Sequence, residues 1–241
     1  MNEKREKAPI IVFDGPDGCG KQTQTEEFRK RLDSEGAKLY TTSFPNYKSD
    51  SSAAVRMYLA GEIAEKANDV GAKAASAFYA IDRYITFKRE MEAFYNNPDY
   101  TIVLDRYVSA NIVHQTAKVI AANTNPETLE QEIIDFIKWL DNLEHNDFGI
   151  PRPEITFYLQ LPTEYSLRLM EKRANKITQD MKKDIHEADT EHLKNASIAG
   201  NMAAKLLGWE VIKCLDENGN MRSVEDIHKE VYSRYKAKIQ K

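Results

Sequence analysis

A glycine-rich stretch near the N-terminus, GPDGCGKQTQ at residues 15–24, has the residue types and spacing that bind phosphate groups. Gly15 and Gly20 stand five positions apart and Lys21 follows, as in the pattern G-x-x-x-x-G-K-S/T. Backbone N–H groups of such a loop point at anionic oxygens, and the lysine reaches the β- and γ-phosphates of a nucleotide. The residues predicted to surround the phosphates are Gly15, Pro16, Asp17, Gly18, Cys19, Gly20, Lys21, Gln22 and Thr23.

Two residues of this stretch depart from what a phosphate loop needs. Gln22 stands where the pattern has a serine or threonine that helps to hold Mg²⁺, and Asp17 puts a negative charge among anions. Thr23 lies next to Gln22, and the Gln22 amide oxygen is also a candidate ligand, so both alternatives stay open. The departure therefore weakens the metal assignment more than it weakens the phosphate site.

A second chemical signal follows the apolar run at residues 100–104. Asp105 comes directly after this run, which is the arrangement that places a carboxylate near the metal at the carboxyl edge of a sheet. Arg106 follows at once, and a carboxylate beside an arginine suits a site with phosphates on both sides. We therefore expect Asp105 near Mg²⁺ and Arg106 near a phosphate group.

The elements that must position these residues are short apolar runs separated by helical patterns. The runs span residues 9–13, 39–44, 100–104, 155–159 and 210–212. Runs this short and apolar are typical of buried parallel strands. Helical spacing fills the gaps, as from Ile133 onward, where apolar residues recur at i, i+3, i+4 and i+7. The alternation predicts one α/β domain over residues 1–241, with three layers, α/β/α, around a central five-stranded parallel sheet.

Composition narrows the class of protein. The chain has 241 residues, and its net charge of −4 argues against a broad nucleic-acid surface. Its apolar runs are far shorter than the roughly 20 residues of a membrane helix, so we expect no membrane partner. Cys19 and Cys214 lack metal-type spacing, which favours a reducing, cytoplasmic location.

The nucleotide site does not belong to a GTPase or a protein kinase. A guanine-reading Asn-Lys-x-Asp would need aspartate at position 178, where the chain has Thr178, and protein-kinase signatures are absent. Residues 174–184, ANKITQDMKKD, interrupt the helical pattern and predict a short polar lid. These features indicate a small phosphate-loop kinase that acts on a small phosphoryl acceptor.

The chain resembles the thymidylate kinases, which transfer the γ-phosphoryl group of ATP to dTMP, over nearly its whole length. The resemblance rests on the phosphate loop and on the stretches at residues 44–47, 78–84, 105–111, 151–161, 169–173 and 184–189. It implies ATP and dTMP as substrates, Mg²⁺ as cofactor and a homodimer.

The resemblance also assigns roles around the acceptor nucleotide. It places Asp17 near the acceptor sugar and the metal, Tyr79 in a stack on thymine, and Arg83 at a base carbonyl. Asn111 would meet the base edge and His114 would lie near the 2′ position of the sugar, or else on a helix surface. The residues implied around dTMP are Asp17, Phe44, Pro45, Tyr47, Tyr79, Arg83, Arg106, Asn111 and His114.

Catalytic and metal roles follow from the same resemblance. The residues implied in catalysis are Lys21, Asp17, Arg106 and Arg173, and those implied near the metal are Asp17, Asp105 and Glu187. Gly18 leaves the loop without a further basic residue, so another cation must come from the lid, which holds Lys176, Lys182 and Lys183. Asn46 stands where the family often has an arginine, which puts one phosphate contact in doubt.

Two alternatives remain open at this point. Gly15-Pro16 and Thr23-Gln24 also suit an adenylate kinase, so the chain could be another nucleoside-monophosphate kinase with adenylate or broader pyrimidine specificity. A protein of a different class, a non-catalytic ATP-binding module, would need no acceptor pocket. A panel of monophosphate acceptors separates these alternatives from a dTMP kinase.

Overall fold

A computed structural model describes residues 5–64, 69–174 and 190–239, with side chains for all of these except residues 170–174. In that part of the chain, five parallel strands form one sheet in the order β2-β3-β1-β4-β5. They are β1 (Ile10–Asp14), β2 (Lys38–Ser43), β3 (Tyr100–Asp105), β4 (Ile155–Gln160) and β5 (Glu210–Lys213). Each strand matches one of the five apolar runs to within a residue at either end, which confirms the predicted sheet.

Helices connect the strands. They are α1 (Lys21–Ser34), α2 (Ala53–Leu59), α3 (Ala72–Thr86), α4 (Glu92–Tyr95), α5 (Val108–Ala122), α6 (Pro126–Asn142), α7 (Thr163–Ala174), α8 (Thr190–Leu207) and α9 (Val224–Ile239). A π-helical segment, Leu143–Asp147, extends α6, and a second one, Phe87–Met91, joins α3 to α4. At the start of α6, the Asn125 side chain accepts a hydrogen bond from the backbone N–H of Glu127, and Pro126 occupies the first turn.

The alternation of side chains along β1 divides the core into two apolar layers. Ile10 and Val12 pack on the side of α5, α6 and α8, whereas Ile11 and Phe13 pack on the side of α1 and α9. Successive residues of a strand point to opposite faces, so a strand that is apolar throughout needs helices on both sides. The fold is therefore the predicted three-layer α/β/α arrangement.

The lid cannot be placed on this fold. Residues 175–184 of the expected lid lie outside the described residues, as does Glu187. Arg173 belongs to α7, but its side chain lies outside the described part. The lid and the single-domain organisation stay predictions. Within the described ranges, no helix is long and apolar enough to span a membrane.

Helix α8 approaches β4 closely at Gly200. A Cβ atom at this position would lie 2.0 Å from Oη and 2.5 Å from Cζ of Tyr158, whose side chain is only 1% exposed. Because the ring is rigid and buried, it has no room to move away. Glycine therefore sets the distance between α8 and the sheet.

We expect Gly200→Ala to destabilise the protein by about 2 kcal/mol, because overpacking a tight core costs about 1–3 kcal/mol. Urea unfolding would measure the loss. Gly71→Ala is the matched control, since Gly71 has φ of −56° and a Cβ there meets nothing within 4 Å. Equal unfolding midpoints for the two variants would contradict the close approach.

Candidate active site

The glycine-rich stretch forms a tight loop between β1 and α1. Gly15, Gly18 and Gly20 have φ of 150°, 83° and 93°, values that glycine adopts most easily. A Cβ at Gly15 would lie 2.5 Å from the carbonyl oxygen of Leu159. Cys19 is buried, and burial raises the pKa of its thiol, so this residue packs within the loop and is not poised to react.

Lys21 is the first residue of α1, and its side chain extends back over the glycine-rich loop. Its Nζ donates hydrogen bonds to the carbonyl oxygens of Gly15, at 2.9 Å, and Pro16, at 3.1 Å, and it lies 3.3 Å from Oδ1 of Asp17. The side chain is only 8% exposed. Its positive charge is therefore held at the loop, where the phosphates of a nucleotide are predicted to bind.

Asp17 is paired with two cations. Its Oδ1 accepts hydrogen bonds from Nη2 of Arg106 and from Lys21. Burial by itself would raise the pKa of Asp17, but the charges of Arg106 and Lys21 outweigh this effect and hold the pKa well below its usual range. The carboxylate stays ionised and offsets the repulsion between the two cations.

Arg106 has an unusual backbone for an arginine. Its φ is 65°, in the left-handed region, and it is the only non-glycine residue with positive φ in the described part of the chain. Such a conformation costs about 1–3 kcal/mol in a non-glycine residue and is found mainly at functional sites. The backbone N–H donates to the carbonyl oxygen of Phe13 at 2.9 Å, which ties the end of β3 to β1.

One pocket brings together all nine residues that the sequence predicted around the acceptor. They line it with three further residues, Leu59, Ala110 and Gln115. Gln115 is fully buried, and neither atom of its amide group has a hydrogen-bond partner in the described structure. The sequence could have indicated Gln115 as a pocket residue, because it follows Asn111 by four residues on α5 and therefore lies on the same helix face.

The two tyrosines of the pocket differ in exposure. Tyr79 is partly buried, and its ring packs edge-on against Tyr58, at 6.4 Å between centroids and 87° between planes. Tyr47 is 53% exposed at the pocket rim. Asn46, the departure from the family pattern, donates to Asp82 through its backbone N–H and to Glu90 through its amide, so it shapes the loop.

Arg83 is almost fully buried beside a carboxylate that the sequence did not single out. Its Nε and Nη2 donate to the two oxygens of Glu144, both at 2.5 Å. Burial by itself would lower the pKa of Arg83, but the charge of Glu144 raises it above the usual value. Arg83→Ala would therefore leave a buried charge unpaired and destabilise the fold, in addition to any loss of binding.

His114 connects Arg106 to α8. Nη1 of Arg106 lies 3.1 Å from Nε2 of His114, and Nδ1 of His114 lies 3.3 Å from Nε2 of His192 on α8. The rings are 11° apart in plane with centroids 5.6 Å apart, which at this nitrogen–nitrogen distance means that they lie edge to edge. The expectation that His114 lines the acceptor site fits this position better than a helix-surface role.

Asp105 lines a second cleft, which adjoins the pocket at Pro45 and Tyr47. Asp105 shares this surface cleft with Gln22 and Thr25, whereas Thr23 is not among the described residues that line this cleft. Burial raises the pKa of Asp105, and its Oδ1 has no hydrogen-bond partner within the described structure. No group of three or more His, Cys, Asp or Glu side chains forms a metal cage in the described ranges.

Comparisons with known proteins identify the family of this chain. The family model "Thymidylate kinase" matches residues 13–204. A thymidylate kinase of Prochlorococcus marinus strain AS9601 is 26% identical over 213 residues, which cover 86% of this chain and 88% of the relative. A thymidylate kinase of Brachyspira hyodysenteriae is 29% identical over 170 residues, which cover 69% and 70%.

A solved structure shares the fold. The thymidylate kinase of Candida albicans superposes with a TM-score of 0.65 at 15% identity, covering 96% of this chain and 92% of that one.

We expect His114 to carry its proton on Nδ1. Arginine only donates hydrogen bonds, so Nε2 of a neutral His114 must accept from Arg106, and Nδ1–H then donates to His192. Long-range ¹H–¹⁵N correlation spectra at pH 7.5 identify the tautomer. The variant Arg106→Leu removes the donor and should release this preference; an Nε2–H tautomer in the unsubstituted protein would contradict the geometry.

Proposed function

Because the chain belongs to the thymidylate kinase family, we propose that it transfers the γ-phosphoryl group of ATP to dTMP, giving dTDP and ADP. The observation that carries the proposal for this chain is the single pocket lined by all nine predicted acceptor residues. Asp17 belongs to both the phosphate loop and this pocket, so the donor and the acceptor meet at one carboxylate.

The acceptor needs no strong general base. It is a phosphate oxygen of dTMP, whose second pKa is about 6, as for phosphate monoesters in general. The low pKa of Asp17 makes it a poor proton acceptor in any case. We therefore assign Asp17 to positioning: it holds Arg106 and Lys21 in place and contributes to the sugar end of the pocket.

Charge stabilisation is the main catalytic contribution in this proposal. Phosphoryl transfer brings together two groups of negative oxygens, and cations fixed in advance lower the barrier more than mobile ones. Lys21 serves the phosphates of ATP and Arg106 serves the phosphate of dTMP. Arg173, at the entrance to the lid, is the proposed third cation. Closure of the lid would exclude water.

The far end of the pocket has the hydrogen-bonding groups to read thymine. The thymine edge presents carbonyl acceptors on both sides of an N3–H donor. Arg83 supplies N–H donors, Asn111 has an unpartnered Oδ1 acceptor in the described structure, and Gln115 offers both kinds of atom. Stacking on Tyr79 would add about 1–3 kcal/mol without selecting among bases. Selectivity then rests on the polar atoms.

Mg²⁺ fits the cleft that Asp105 lines. A buried carboxylate oxygen without a partner is costly, and a hard cation held by oxygen ligands would satisfy it. Gln22 shares this cleft and is the proposed amide ligand in place of Thr23. Oδ1 of Asp17 already has two cationic partners, so it is the weaker candidate, and Glu187 stays a predicted contributor. When bound with ATP, the ion neutralises phosphate charge.

We include a homodimer in the proposal. Ile81 and Tyr84 are 43% and 42% exposed and lie three residues apart on α3, hence on one face. Such a pair suits burial against a second copy. Cys19 and Cys214 are both buried free thiols, in keeping with the proposed cytoplasmic location.

A panel of acceptors tests the function. With ATP and Mg²⁺, ADP release should be fastest with dTMP, slower with dUMP, and slowest with UMP, dCMP and AMP. Lys21→Ala should abolish release with every acceptor, because it removes the charge at the phosphate loop. Fastest release with AMP or equal rates with all pyrimidines would favour a broader monophosphate kinase. ATP binding without any turnover would favour the non-catalytic module.

Asp105→Asn should raise the Mg²⁺ concentration needed for half-maximal activity about tenfold or more, because an amide oxygen attracts a divalent cation less than a carboxylate. The measurement is a Mg²⁺ titration at fixed ATP. Asp99→Asn is the control: Asp99 is an exposed carboxylate that pairs with Lys38 at 3.2 Å. Indistinguishable titrations for the two variants would remove Asp105 from the metal site.

A further inference from the structure

Glu144 is a fully buried carboxylate outside the acceptor pocket. It lies in the π-helical segment Leu143–Asp147 after α6, has 0% exposed surface, and does not line the pocket. Burying a carboxylate is costly unless its charge is paired and its oxygens are hydrogen-bonded. The hydrogen-bond partners of Glu144 therefore indicate its role.

The partners of Glu144 are two residues that do line the pocket. Arg83 donates to Oε2 through Nε and to Oε1 through Nη2, each at 2.5 Å. Asn111 donates to Oε1 through Nδ2 at 2.8 Å. One carboxylate thus joins α3, which carries Arg83, to α5, which carries Asn111, at the base end of the pocket.

Glu144 and the carbonyl group of Ser76 together determine which way the Asn111 amide points. Nδ2 of Asn111 lies 2.8 Å from Glu144 and 3.1 Å from the carbonyl oxygen of Ser76, and both of these oxygens can only accept hydrogen bonds. The NH₂ group must face them. Oδ1, which has no partner among the described residues, is the atom left for a ligand.

Glu144 also determines the plane of the Arg83 guanidinium. A two-point pairing between a carboxylate and a guanidinium is planar and has little rotational freedom. It uses Nε and Nη2 and leaves Nη1 unengaged by Glu144. The same carboxylate therefore presents one fixed acceptor, on Asn111, and one fixed donor, on Arg83.

We propose that Glu144 is a positioning residue that determines the base specificity of the acceptor site without touching the acceptor. An acceptor beside a donor complements the N3–H and O4 of a thymine or uracil ring. It opposes the N3 acceptor and the exocyclic amine of cytosine. The inference rests on the proposed function, because it assigns this pocket to the acceptor base.

Replacing the carboxylate by an amide of the same shape would disturb this arrangement. In Glu144→Gln, the new NH₂ group faces N–H donors of Arg83 or Asn111, and two donors repel each other. Because Arg83 donates to both oxygens of Glu144, the new NH₂ group opposes Nε or Nη2 of Arg83 in either orientation; the guanidinium then loses its two-point pairing, and the donor that it presents to the base is displaced. When the NH₂ group lies at the Oε1 position, it also opposes Nδ2 of Asn111, so the acceptor–donor pair that favours thymine over cytosine is weakened on both sides.

The experiment compares kcat/KM for dTMP, dUMP and dCMP in four proteins: unsubstituted, Glu144→Gln, Glu144→Asp and the control Glu154→Gln. Glu154 is an exposed glutamate whose carboxylate also accepts a hydrogen bond, from the backbone N–H of Ile10 at 2.5 Å. In Glu144→Gln, we expect the preference for dTMP over dCMP to fall about tenfold or more, with the KM for ATP unchanged. Glu144→Asp keeps both carboxylate oxygens on a shorter side chain. This variant should bind dTMP less tightly but retain the preference for dTMP over dCMP.

A second measurement needs no variant. The Asn111 side-chain NH₂ protons, resolved by ¹H–¹⁵N spectroscopy, should exchange slowly with solvent in the free protein and also with dTMP bound, because they face Glu144 and Ser76. Fast exchange, or a hydrogen-bond shift of these protons on dTMP binding, would overturn the inference even if Glu144→Gln fails to fold.

The outcomes separate the inference from the proposed function. If the unsubstituted protein does not phosphorylate dTMP, the proposed function fails. If it prefers dTMP and a folded Glu144→Gln keeps the full preference, only the inference on Glu144 fails. A preference lost in Glu144→Asp as much as in Glu144→Gln would also overturn it, because the acceptor oxygens would then not be what matters.

Discussion

The ion pair between Arg106 and Asp17 is the contact on which the rest of the site depends. Strands β1 and β3 are hydrogen-bonded neighbours, so the residues after their carboxyl ends meet at one edge of the sheet. Asp17 follows β1 and Arg106 follows β3. Their pairing places the phosphate loop on one side and the acceptor pocket on the other, and Arg106 extends the connection through His114 to His192 on α8.

Charge balance explains an aspartate in a loop for anions. In the proposed function Lys21 and Arg106 both serve phosphate groups, and two unpaired cations held this close would repel each other. Asp17 lies between them and remains ionised, so both cations are in place before either nucleotide arrives. Fixed charges of this kind stabilise a transition state without reorganising during the reaction.

Two carboxylates, Glu144, which is fully buried, and Asp105, which is partly buried, differ in the hydrogen-bond partners that surround them. Among the described residues, the partners of the Glu144 carboxylate are N–H donors at 2.5–2.8 Å, so its charge orients Arg83 and Asn111. Asp105 keeps an oxygen without a partner in the described structure, and burial raises its pKa. A satisfied carboxylate positions its neighbours, whereas an unsatisfied one is available to a ligand.

Local patterns in the sequence determined the five strands, the phosphate loop and, through the family motifs, nine of the twelve residues that line the pocket. They did so because hydrophobic period, glycine spacing and short motifs are local properties. The sequence did not indicate Glu144 or His192 as site residues, because their partners Arg83 and His114 lie 61 and 78 residues away along the chain. A glutamate that will be buried against an arginine has no local pattern that separates it from one on a solvated helix face. Only the packing of α6 and α8 against α3 and α5 decided which polar side chains are removed from water. Those side chains then need hydrogen-bond partners within the protein.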